Sequence, residues 1–301
     1  MRVSRREFLE GSARIVVGGA AAASGLATAL AEVKIEGIEK PVPVFDGHVH
    51  FGGSYGSPER LLETLKANSV DGAVLVQRGG SVNNAYIVDL VKKHPKVFIG
   101  VAKLDYKAED APARLEELVK AGGIGGIRIG ERDRSPGDDP YAIWKKCAEL
   151  GIVANIRGRF SYLGGPEFAE LIKAAPNLKI RIEHLGRPNA GEKPPYPEYS
   201  KMLKLADFPN VYVKASGLSS FAGSGVPYPY KNMWPFVEMV VKAFGADRVM
   251  WASDYPIIFK DPGYAKILRI YTHELPFLKP DQRAMILGGT AMKLWPTLKA
   301  E

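Results

Sequence analysis

The segment Asp46-Gly47-His48-Val49-His50 sets two imidazoles one residue apart. Side chains alternate along a strand, so in extended backbone Asp46, His48 and His50 share one face, and two imidazoles about 7 Å apart at their backbones can converge on one ion. Such a pair suits metal binding or catalysis, with a structural histidine pair as the alternative. Two other apolar runs finish in ionisable groups: Arg181-Ile182-Glu183-His184-Leu185-Gly186-Arg187-Pro188 and Trp251-Ala252-Ser253-Asp254-Tyr255-Pro256. A carboxylate and an imidazole at such ends can activate a water or hold a divalent cation. Taken singly, Asp254 also suits a helix N-cap and His184 a satisfied core position. Four such residues ending three runs point to a shared site. His94 and His273 read differently. His94 stands where a helix stops before Pro95 and complements the helix dipole, and His273 lies in a C-terminal helical region, so both are expected to be structural or superficial.

These residues need elements to bring them together. Eight short β-branched runs punctuate the chain: 44–51, 72–77, 97–104, 125–130, 152–157, 179–185, 211–218 and 249–254. Between them, apolar residues recur at three- and four-residue intervals over 58–67, 84–93, 111–121, 141–150, 166–174 and 234–244, which predicts helices. Strand, helix, strand at this spacing means parallel pairing. Runs such as Ala73-Val74-Leu75-Val76 read as strands buried on both faces, and eight units in about 250 residues predict an α/β fold closed as a (β/α)8 TIM barrel. A doubly wound open sheet is less suited, because no Gly-rich G-x-G-x-x-G opens the first helix. In a barrel, chemistry sits at the C-terminal ends of the strands, where the residues above lie.

The motifs Asp46 to His50, His184 to Pro188, Val213-Lys214-Ala215-Ser216-Gly217-Leu218, Ala252 to Pro256 and Ile286-Leu287-Gly288-Gly289-Thr290-Ala291 resemble the amidohydrolase superfamily, in the amidohydrolase-related branch that includes decarboxylases and lactone hydrolases. The resemblance spans roughly residues 44 to 296. It implies that His48 and His50 bind a divalent metal, usually zinc, with Asp254 as a further ligand or proton carrier and His184 polarising the substrate or activating water. Members with a firm mononuclear site usually end strand five with a third histidine. This chain has Val153-Ala154-Asn155-Ile156-Arg157 there, which puts Arg157 in that slot, or Asn155 in another register; neither is a usual zinc ligand, and a guanidinium beside a dication repels it. Arg157 therefore draws the reading toward the subset resembling dicarboxylate lactonases, in which metal can be dispensable and arginines clamp carboxylates. Arg128, Arg157, Arg78 and Lys214 are the candidates for that clamp, since a planar guanidinium binds a carboxylate bidentately.

Composition bounds the rest. The chain has 301 residues, 46% of them hydrophobic and 25% charged, ordinary globular values. Its formal charge of +8 comes without a long basic run, which argues against a nucleic-acid partner and leaves a mildly basic surface able to attract anions. The single cysteine, Cys147, excludes an internal disulfide and falls at helical spacing among Ile143, Trp144 and Ala148, as packing. Ser4-Arg5-Arg6-Glu7-Phe8-Leu9 followed by a Gly/Ala-rich apolar run resembles a twin-arginine export signal, with Ala29-Leu30-Ala31 as the peptidase site. This divides the chain into a signal peptide, 1–31, and one barrel domain, 32–301. The expected destination is the periplasm or another exported location, and the expected partner the twin-arginine machinery; a homo-oligomer stays open. Two loops rich in proline or aromatic residues, 187–199 and 219–234, should lie over the barrel mouth. The preferred function is water attack on a lactone or similar carbonyl of a small acidic substrate. Decarboxylation of a ring carboxylate is the enzymatic alternative, and a non-catalytic solute-binding barrel the other.

Overall fold

A computed structural model describes residues 33–39, 41–78, 83–257 and 262–299. The proposed export signal lies outside the described residues, which all fall in one compact unit, Ala31–Glu301. Eight parallel strands form a sheet in sequence order: β1 (Phe45–Val49), β2 (Gly72–Val76), β3 (Phe98–Ala102), β4 (Ile124–Gly130), β5 (Val153–Arg157), β6 (Lys179–Ile182), β7 (Val211–Ala215) and β8 (Val249–Trp251). Helices separate them, including Pro58–Ala67, Ala85–Lys93, Ala111–Lys120, Ala142–Glu149, Pro166–Ala174 and Trp234–Phe244. The ring closes between its first and last members through a parallel bridge, Val49 to Tyr255. The fold is a (β/α)8 barrel, as the alternating pattern predicts.

Its two apolar layers explain why the strands read as continuous hydrophobic runs. Residues such as Val49, Ala73, Leu75, Ile127, Ala154 and Val213 pack outward against the helices. Phe45, Val74, Val76, Val101, Val153 and Met250 fill the other layer together with Leu294, Trp295 and Leu298. The C-terminal helix Thr290–Leu294 and the residues after it thus pack against the strands' second apolar face, and Trp295 Nε1 donates to Gly125 O at the start of β4 (2.9 Å). Polar burial gathers further along the strands, in His48, His50, Asn155, Glu183, Lys214 and Asp254. Cys147 is buried in the outer core, as expected, and His94 caps the helix Ala85–Lys93.

Three strands end three residues sooner than their apolar runs. β6 stops at Ile182, β7 at Ala215 and β8 at Trp251. In the first and last cases the chain turns into left-handed backbone, at His184 (φ 54°), Leu185 (φ 56°) and Asp254 (φ 62°). Hydrophobicity could not reveal this turn, because it depends on neighbouring strands. Non-glycine residues with such φ values are sparse and collect at functional sites, where surrounding contacts must hold them.

Candidate active site

Simple alternation fails at β1. The ladder with β2 shifts register between Asp46 and Val49, so Asp46 and His48 no longer share a face. The Asp46 carboxylate accepts from the backbone N–H groups of His48 (3.1 Å) and Ser253 (2.9 Å), and from the Tyr264 hydroxyl (2.7 Å). It is a buried tie between β1 and the end of β8, and burial pushes its carboxyl up to about 6. Asp254 N donates to His48 O (3.1 Å), and His50 N to Tyr255 O (2.8 Å). The seam therefore sets His48, His50 and Asp254 beside one another.

The two imidazoles meet through their Nε2 atoms at 3.1 Å. His50 Nδ1 lies 2.7 Å from Val76 O, which can only accept, so that nitrogen carries the proton. Burial holds both histidines neutral, lowering His50 to about 4 and His48 well below its ordinary value. His50 Nε2 then presents a lone pair. His48 has one proton to place, and Glu183 Oε1 lies 3.5 Å from its Nδ1. A lone pair there would face a carboxylate, whereas a proton there leaves two lone pairs converging between the rings.

Glu183 is the member of this group for which the sequence reading assigned no role. It is fully buried, and Arg128 grips it with Nε–Oε1 at 3.1 Å and Nη2–Oε2 at 2.8 Å. Burial opposes its ionisation, but the charges of Arg128, Lys214 and His184 outweigh it and hold the carboxyl well below the usual range. Its signal was its place two residues beyond Arg181, another inward cation. Asp254 is governed in the same way: burial opposes its charge, and His184 and Lys214 more than restore it. Lys214 Nζ donates to Asp254 Oδ1 at 2.8 Å and lies 3.4 Å from His184 Nε2. His184 Nδ1 stands 3.3 Å from Asp254 Oδ2 and 3.1 Å from Ser216 Oγ. Gly217 leaves room for this ring, since a Cβ there would come within 3.0 Å of His184 Nδ1.

Above the cluster opens a cavity of about 750 Å3. His50, His184 and Asp254 reach it, together with Arg78, Arg128 and Arg157; Lys103 and Lys107, which the sequence reading passed over, also line it. Lys214 departs from the expected carboxylate clamp. It is fully buried, lies outside the cavity lining and neutralises Asp254. Arg128 is on the wall but already committed to Glu183. Of the two candidates for the strand-five position, Asn155 is buried, with Nδ2 donating to Ile127 O and Val153 O, and Arg157 is exposed on the cavity wall.

Among the described residues, no group of three or more His, Cys, Asp or Glu side chains already stands in cation-holding geometry. The donor chemistry nevertheless fits a divalent ion. The Nε2 atoms of His48 and His50 converge, and Asp254 Oδ1 lies 3.9 Å from His48 Nε2, currently held by Lys214. Two nitrogens and one carboxylate oxygen make an open site of three protein ligands, the pattern of catalytic zinc.

The chain matches the amidohydrolase family over residues 49–297. It belongs to that family. It is an amidohydrolase-type hydrolase, 31% identical over 248 residues to an L-fucono-1,5-lactonase of Burkholderia ambifaria, covering 78% of this chain and 83% of the relative. Its fold is shared with a structure from Pseudomonas putida described as a 2-pyrone-4,6-dicarboxylic acid hydrolase. That likeness has a TM-score of 0.69 at 23% identity and covers 85% of this chain and 98% of the other. A Burkholderia multivorans amidohydrolase with bound zinc has a TM-score of 0.71 at 20% identity, covering 84% and 99%.

Proposed function

We propose that this amidohydrolase opens a lactone ring in a small acidic substrate. One observation carries the reading: His48, His50, His184 and Asp254 meet at the base of a cavity whose wall bears Arg78, Lys103, Lys107 and Arg157. A carboxylate-bearing ring is attracted by that wall, and Arg78 and Arg157 are exposed guanidinium groups able to grip it. The lactonase name of the Burkholderia ambifaria relative supports the same reaction class.

In the reaction a water oxygen adds to the lactone carbonyl carbon, the ring C–O bond breaks, and the products are an alcohol and a carboxylic acid, which releases its proton to solvent and leaves as the carboxylate. Asp254 receives the water's proton and returns it to the leaving alkoxide. His184, fixed between Asp254, Lys214 and Ser216, polarises the carbonyl oxygen and stabilises its developing charge. Asp254 paired with Lys214 is a weak base. A divalent ion held by His48, His50 and Asp254 would supply the acidification of water that such a base needs. Glu183 and Arg128 keep the His48 ring oriented. We also propose export by the twin-arginine route, supported by Ser4 to Leu9.

The test is a panel of lactones with and without ring carboxylates, assayed with wild type and Asp254→Asn. Hydrolysis that favours the acidic members and is lost in the variant supports the assignment. Turnover unaffected by the substitution, or release of carbon dioxide from a ring carboxylate, overturns it.

A further inference from the structure

The cavity wall divides by charge. Its cationic side chains come from one arc of the barrel: Arg78 after β2, Lys103 and Lys107 after β3, and Arg157 at the end of β5, interspersed with Asp105 and Asp133. The opposite arc, after β7 and β8, contributes Ser220, Phe221 and Ile257. His50, His184 and Asp254 belong to the same cavity, and the Phe221 ring lies 5.8 Å from His184, tilted 57° to it. On the uncharged side a second hollow of about 310 Å3 adjoins the first, with Ser220 and Ile257 as walls common to both. Ser219, Gly223, Gly225, Val226 and Tyr230 complete it, and no charged side chain among the described residues lines it. Its volume equals roughly ten waters at about 30 Å3 each, space for an arm of several heavy atoms. Among the described residues, Ile257 is the large hydrophobic side chain left exposed (49%), which gives the passage an apolar lip.

We propose that the substrate is two-sided: an anionic group held by the arginine and lysine arc, and an uncharged, partly apolar arm seated in the hollow formed by Ser219, Val226, Tyr230 and Ile257. This rests on the lactone-hydrolase reading and extends it by naming a second subsite. A ring alone would leave that hollow to water. An arm bearing a charge would lose its hydration against serine hydroxyls and apolar side chains with no counter-charge beside it.

Two probes test the subsite: a six-membered lactone carrying one ring carboxylate, and the same ring with a neutral hydroxybutyl arm. Turnover of each is compared in wild type, Val226→Trp and Ser219→Phe, and calorimetry measures the affinity of the two ring-opened hydroxy acids. Val226 is half-buried in a loop and Ser219 sits in the short helix Leu218–Phe221, so the two fillings fail independently. The arm is expected to raise kcat/KM and product affinity about tenfold in wild type, and either substitution to abolish that gain while the armless probe is handled as before. No gain from the arm, or a gain surviving both substitutions, overturns the subsite. If neither probe turns over but the armed hydroxy acid still binds preferentially, the lactonase reading falls and the subsite stands.

Discussion

Lys214 and Asp254 form a buried ion pair whose members have different jobs, and substitutions can separate them. Asp254→Asn leaves the ammonium without a counter-charge, which should cost about 3 kcal/mol of stability as well as a 10²- to 10⁴-fold loss in kcat/KM. Adding Lys214→Met should restore much of the melting temperature and none of the turnover; recovered turnover would remove Asp254 from the chemistry. The arginines separate in the same way. Arg157 is exposed, so Arg157→Ala should lower kcat/KM for acidic lactones about tenfold or more with the melting temperature unchanged. Arg128→Ala should destabilise the fold, because Glu183 then stays buried without its partner. Equal thermal behaviour of the two variants would contradict this division. Residue types alone marked His48, His50, His184, Asp254 and the arginines. They did not distinguish Arg128 and Lys214, spent on carboxylates inside the protein, from Arg78 and Arg157 on the cavity wall, because that depends on which strand stands next to which.

Among the elements, the β1–β8 seam matters most. It is joined by one isolated bridge, two backbone hydrogen bonds and the Asp46 carboxylate, not by a long ladder. Asp46→Ala strands the buried N–H groups of His48 and Ser253 and the Tyr264 hydroxyl, and should cost about 3 kcal/mol in chemical denaturation. Asp46→Asn can keep its oxygen on the two amides and turn its nitrogen to the tyrosine, so it should recover most of that loss. If both variants unfold at the wild-type denaturant concentration, the seam is held by other contacts. Strand existence and order were readable from apolar runs at regular intervals. The register slip at Asp46 was not, since it arises from a hydrogen bond to a residue 207 positions away.

For the whole molecule, acid stability follows from the buried charges. His50 is lowered to about 4, so between that pH and 6.5 the unfolded chain binds a proton that the folded one refuses, and stability rises with pH through this window by roughly 3 kcal/mol. Asp46, raised to about 6, works in the opposite sense between pH 4 and 6. His48, Asp254 and Glu183 all side with His50, being depressed in the folded protein. Denaturation in chelator should therefore show stability climbing from pH 4 to pH 7; a maximum near pH 5 would mean that Asp46 prevails. Elemental analysis of the purified protein, with turnover measured before and after chelation, checks the cation site. Near-stoichiometric metal with turnover lost on removal is the expected result. Turnover that persists in a metal-free protein would leave the proton transfers to Asp254 and His184 alone.

By itself the sequence determined the architecture, the family and a set of candidate site residues. Strand burial, helical periodicity and strand-end motifs are local quantities, each readable within about ten residues. Tertiary structure decided the pairings: Glu183 with Arg128, Asp254 with Lys214, Asp46 with the far end of the ring, and the split of the cavity into a charged arc and an uncharged one. Those pairings join positions 40 to more than 200 residues apart, and the energy of a buried charge depends on the groups the closed barrel brings within a few ångströms of it.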